Sequence, residues 1–275
     1  MCKKEFLYLK NLKSIMKNIF TLTFLFLMFN LSAQVYEVEV ETKHKTDYSE
    51  KGLEWFSHIP DAENRKWNIE QNSNPRAIDY KFFASKTEQT ATEEIRLNNE
   101  QGSAGEIKKS VPGLSFGSSY FDFEKGFNYR IDDVYGRKYI VKTALEKLEW
   151  KYFDESKEIL GYKSYRATAK YNDYDVEIWF TKDIPFHFMP STIFPIDGFV
   201  LEMNYYIENE YGKMNNYIKV KSIKLLDKAY KFKKIDENSK KSSIPVVTDD
   251  EIYKIWDEAN DKRNELYNKE GVDKK

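Results

Sequence analysis

Cysteine is nearly absent from this chain of 275 residues, and the one it has, Cys2, lies before the first apolar run. Without that residue the remainder excludes a disulfide scaffold, thiolate metal sites and a cysteine nucleophile. Histidine is scarce as well. His44, His58 and His187 are the only three, and no two stand at the His-x-x-x-His or His-Glu-x-x-His spacing that places two imidazoles around one cation on a helix face. A G-x-S-x-G elbow and a phosphate-binding P-loop are missing. A Ser, His and Asp triad needs only to meet in space, so spacing alone leaves it open. Long apolar runs reduce to one stretch of eleven residues, 19–29, where a permanent bilayer span needs about 20.

That stretch follows Lys13 and Lys17 and precedes Asn30-Leu31-Ser32-Ala33. The order of positive charge, apolar core and small residue predicts a secretory signal at residues 1–33, cut after Ala33. An uncleaved anchor is the competing reading. Against it stand the polar and apolar alternation just beyond Gln34 and the lack of a second apolar run. Met1 or Met16 serves as the start, since the residues from Met16 form a complete signal. No cysteine stands at the cut to carry a lipid, and no stable membrane span is expected after cleavage. The expected location is the periplasm, the outer membrane or the medium of a Gram-negative-type cell.

Removing the signal's charge of +4 takes the whole-chain −1 to −5. A mildly acidic chain with dispersed charge argues against a nucleic-acid partner, which needs a clustered basic surface. The lysines of residues 219–241 are interrupted by Asp227, Asp236 and Glu237 and read as solvated strand and loop. About 240 mature residues suffice for a real core without covalent staples. The expected organisation is an antiparallel β-domain at 34–235, a linker at 236–247 and a helix at 248–268 packed on the sheet.

Aromatic residues make up 16% of the chain, with 20 Tyr and 19 Phe, and flat side chains suit a half-buried pleated surface. Periodicity agrees. Tyr36, Val38 and Val40 alternate with Glu37, Glu39 and Glu41, one dry face and one wet. Tyr165, Ala167, Ala169 and Tyr171 alternate with Arg166, Thr168 and Lys170, and Val176, Ile178 and Phe180 with Asp175 and Glu177. Asn172 and Asp173 between these two runs predict a hairpin. Further strands fall at 119–123, 127–131, 137–141, 201–207 and 217–226. Together they predict a mainly β fold, an antiparallel meander sheet, with a curved half-barrel as one form of it. Residues 43–75 break the pattern with a polar segment and room for a short helix. Residues 248–267 form an amphipathic helix, with Thr248 as cap, Asp249, Asp250 and Glu251 in the first turn, and Ile252, Ile255, Trp256 and Ala259 on one face.

Paired carboxylates at Asp132-Asp133 and Asp249-Asp250 could serve acid and base work or calcium; their plain readings are a turn and a helix N-terminus. With no catalytic constellation, no enzyme, no cofactor and no metal is expected. The residues offered for ligand contact are Trp179, Phe186, His187, Phe188 and Phe194, which lie in or beside an aromatic-rich loop after a strand. The plain alternative is that these rings plug the open end of the sheet.

Residues 119–206 carry a more specific signal. Lys138-Tyr139-Ile140-Val141, Trp150-Lys151, Lys157-Glu158-Ile159-Leu160-Gly161-Tyr162, Arg166-Ala167-Thr168, Trp179-Phe180-Thr181 and Ile184-Pro185 follow one another in an order that resembles the GLPGLI family of exported proteins. The name-giving segment is degenerate here: Pro195-Ile196-Asp197-Gly198-Phe199-Val200, then Leu201-Glu202, keeps only its second glycine. Met189-Pro190 replaces the usual Gly-Pro, and Ser164 stands where a cysteine is common. The resemblance implies an exported location and an antiparallel architecture, and it brings no catalytic residues. Two functions follow as expectations. One is a non-enzymatic binding module for an apolar ligand or peptide; the other is an accessory protein that docks on an envelope partner or uptake system. A hydrolase comes third.

Overall fold

The computed structural model describes residues 34–94, 118–192, 196–235 and 244–269. The predicted signal at 1–33, the linker residues 236–243, Pro195 and Phe194 lie outside them. In chain order the elements are β1 (Tyr36–Tyr48), α1 (Glu50–Glu54), a 3₁₀ turn (Trp55–His58), α2 (Ala62–Ser73), β2 (Ile78–Ala84), β3 (Glu88–Glu94), β4 (Ser118–Asp122), β5 (Phe127–Val134) and β6 (Arg137–Ala144). There follow β7 (Lys151–Ile159), β8 (Tyr162–Tyr171), β9 (Tyr174–Thr181), β10 (Phe199–Asn209), β11 (Gly212–Leu225), β12 (Val246–Val247) and α3 (Asp249–Lys269).

The described strands form one sheet in the order β12-β6-β5-β4-β3-β2-β1-β11-β10-β9-β8-β7. Two meanders, β1 to β6 and β7 to β11, are joined where β1 pairs with β11, from Tyr36 opposite Leu225 to Tyr48 opposite Gly212. Only β12 runs parallel to its neighbour, β6. The protein is therefore mainly β and antiparallel, with a C-terminal amphipathic helix, as alternation and aromatic content predict.

Tight turns set the register. Tyr135-Gly136 and Leu160-Gly161 take positive φ at both central positions, the arrangement whose twist matches paired strands. A bulky residue at positive φ is costly. Tyr135 has compensating contacts, since its hydroxyl donates to Asn260 Oδ1 at 2.6 Å and its ring meets Trp256.

Three differences from the sequence reading have physical causes. First, β1 runs on to Tyr48, into the segment read as irregular, because its inward positions there are Thr42, His44 and Thr46 and give no apolar signal. Beyond it the chain turns helical at α1, capped by Ser49 Oγ, which accepts from Gly52 N–H. Second, β2 and β3 escape the alternation test. β2 is buried almost continuously, and β3 buries Gln89 and Thr90 beside Ala91. Third, Val246 and Val247, read as linker, pair with Ile140 and Val141.

The main core lies on one face of the sheet, from Ala91 and Phe82 through Val40, Val220 and Met203 to Ile178 and Ala167. The segment after β9 crosses this face. Phe186 meets Tyr36 at 5.2 Å, Phe188 meets Phe82 at 5.3 Å, and Gln89 Nε2 donates to Met189 O at 2.9 Å. A second cluster joins Ile252, Ile255, Trp256 and Ala259 of α3 to Val134, Tyr139 and Val141.

Candidate functional site

The structure separates the residues offered for ligand contact. Phe186 and Phe188 are core: they are 7% and 0% exposed and pack on Phe199, Phe188 stacked at 4.5 Å and Phe186 edge-on at 5.6 Å. Phe188 also pairs with the start of β10: its N–H donates to Gly198 O at 3.3 Å, and Val200 N–H donates to Phe188 O at 3.0 Å. These two rings are spent on one another's neighbours and on Phe199, the plugging arrangement of the plain alternative, while Phe194 lies outside the described residues. His187 is half-buried between them. Trp179 stands apart.

Its position follows from parity. In β9, Val176, Ile178 and Phe180 face the core, so Glu177 and Trp179 face out. Pairing assembles the outward residues of five strands into two rows. One row runs Glu41, Lys219, Glu202, Trp179 and Arg166; the next runs Lys43, Tyr217, Asn204, Glu177 and Thr168. Lys157 reaches in from β7. Together with Met203 and Ile218 most of these side chains line a groove of about 380 Å³.

Within the groove Lys157 Nζ lies 4.3 Å from the centre of the Trp179 ring and donates to Glu202 Oε2 at 2.5 Å. Arg166 grips Glu177 Oε2 through Nε at 2.9 Å and Nη2 at 2.8 Å. The Asn204 Oδ1 atom is buried and accepts no hydrogen bond among the described residues. Glu41, Lys43 and Lys219 make no ion pair among the described residues, although Glu41 and Lys219 sit directly opposite each other. An aromatic plate and unpaired charges of both signs are the equipment for holding a polar chain by stacking and charge-assisted hydrogen bonding. No cluster of three or more His, Cys, Asp or Glu able to hold a metal occurs among the described residues.

Sequence reasoning reached Trp179 but missed Glu41, Lys43, Lys157, Glu202, Asn204, Tyr217 and Lys219. The available signal was a tryptophan on the polar parity of a strand, beside Glu177. Its partners come from strands far apart in sequence, and register across β1 and β11 cannot be read from one chain.

The fold and the groove define an antiparallel β-domain with an aromatic, mixed-charge groove on one sheet face. Residues 134–247 match the family described as N-glycanase peptide, N-terminal domain. That stretch holds β6 to β12 and leaves out β1 to β4, the strands that include the sheet's centre. Two solved structures of PNGF-II, in space groups C2 and P21, align with TM-scores of 0.44 and 0.46 at 17% and 18% identity. Each alignment covers 82% of this chain and 32% or 34% of the other, so the chain spans about a third of their length. No curated protein matches the sequence.

Proposed function

We propose that this chain is an exported, non-enzymatic binding module whose groove at Trp179 holds a polar chain, a peptide or glycopeptide. The observation that carries the reading is the outward Trp179 among polar groups left without ion pairs, Glu41, Lys43 and Lys219, on one sheet face. A ligand of this kind is favoured over the apolar one expected from the loop, because Phe186 and Phe188 belong to the core. The signal-like residues 1–33 and the resemblance to the GLPGLI family support a place in the periplasm or at the outer membrane. A matched family named for an N-glycanase makes an N-glycosylated peptide the first ligand to try.

Calorimetric titration of the protein with N-glycosylated peptides and their unglycosylated counterparts tests this. Trp179→Ala should weaken binding at least tenfold, roughly the loss of a stacked aromatic contact, measured at a temperature where circular dichroism shows the variant folded. Release of free glycan or of deamidated peptide during the titration would overturn the non-enzymatic part.

A second reading, docking on an envelope partner, is favoured by exposed Leu53 (42%), Trp55 (64%) and Tyr211 (48%). These lie where α1 meets the turn between β10 and β11, joined by the Ser49 N–H to Tyr211 O bond. Cross-linking in intact cells through a photoreactive residue at Trp55 would capture such a partner.

A further inference from the structure

The groove already contains a cation. The Lys157 ammonium sits over the Trp179 ring at 4.3 Å and on Glu202 at 2.5 Å. What lies around it in the groove is a set of acceptors: an indole face, the Glu202 carboxylate, and Glu177 two residues along β9. An aromatic face attracts a cation through its quadrupole, and a carboxylate adds a charge-assisted hydrogen bond. Arg166 holds Glu177 from the far side, which leaves Glu202 as the carboxylate that answers the ammonium.

The tether on this cation is weak. Lys157 belongs to β7, the outermost strand of the sheet, exposed along nearly its whole length, with its register to β8 broken between Tyr152 and Ser156. Edge strands with one neighbour open most easily. Farther along the groove, Lys43 and Lys219 carry positive charge without an ion pair among the described residues.

We propose that Lys157 is a tethered stand-in, and that the groove receives the lysine side chain of a peptide or protein ligand, with an acidic neighbour of that lysine meeting Lys43 and Lys219. This rests on the reading of the groove as a ligand site. The ligand's ammonium displaces that of Lys157 and takes over the indole face and Glu202, so Lys157 sets a threshold that only a correctly placed lysine passes.

The test is calorimetric, with the full chain and a blocked peptide Gly-Lys-Asp-Gly, alongside the same peptide carrying Nε-acetyl-lysine. Lys157→Met keeps the aliphatic stem and removes the competing charge; it should tighten binding of the lysine peptide at least tenfold. The acetylated peptide should bind neither protein, and Glu202→Gln should weaken the lysine peptide in both backgrounds. Unchanged affinity in Lys157→Met, equal binding of the acetylated peptide, or no binding of the lysine peptide to either protein overturns the inference. Glycopeptide binding that is lost in Trp179→Ala would keep the groove reading alive in any of those cases, whereas binding indifferent to Trp179→Ala would end that reading instead.

Discussion

Gly198 shows how one residue can matter through what it leaves out. It takes φ +158° just before β10, and a Cβ there would lie 2.5 Å from Phe180 Cδ2 and 2.8 Å from Thr181 O. Its carbonyl accepts the Phe188 N–H, so its backbone clamps the aromatic segment onto the sheet. Gly198→Ala should destabilise the protein by roughly 1–3 kcal/mol through overpacking, read as a lower urea midpoint at constant slope. A wild-type midpoint would mean that Phe180 yields freely. The sequence points to this residue as the surviving glycine of a degenerate motif, and to Trp179 as an aromatic offered for ligand contact. What each touches is beyond any pattern within a single strand.

At the scale of elements, α3 begins with a reciprocal cap. Glu251 N–H donates to Thr248 Oγ1 at 3.3 Å, and Thr248 N–H donates back to Glu251 Oε2 at 2.7 Å, which satisfies two otherwise unpaired donors. The hydrogen bonds from the Thr248 backbone and side chain hold the Glu251 carboxyl below the usual glutamate range. A depressed carboxyl contributes stability that is fully present above its unfolded pKa and is lost as the pH falls through its folded one. Docking of α3 should therefore weaken in acid, below the ordinary glutamate range. Thr248→Ala should cost about 1 kcal/mol at neutral pH and flatten the acid limb of a stability profile followed by circular dichroism; an unaltered acid limb would refute the link. This helix and its cap are legible in the sequence because they are local. β2 and β3 are not, since continuous burial in one and buried polar residues in the other erase the period of two.

For the whole molecule, the aromatic segment after β9 acts as a bridge. Phe188 is fully buried between Phe82 of β2 and Phe199 of β10, strands with β1 and β11 between them in the sheet. Phe188→Ala should cost about 3–5 kcal/mol and broaden thermal unfolding as the two meanders lose a shared contact. A cost below about 1 kcal/mol would show that the segment is an ornament on an otherwise complete core. The long reach of the β1 and β11 pairing, from Tyr36 to Leu225, also places slow, non-local closure at the centre of the fold.

The sequence by itself determined the strand-rich class, the hairpin at Asn172-Asp173 and the capped C-terminal helix. These rest on local periodicity and turn chemistry, which act within a few residues. Only the tertiary structure decided that Phe186 and Phe188 are core, that β1 joins the two meanders, and that Lys157, Glu202 and Asn204 gather around Trp179. Those outcomes depend on which strands pair and in what register. Pairing is settled by the burial of whole faces against one another, a property of the assembled sheet.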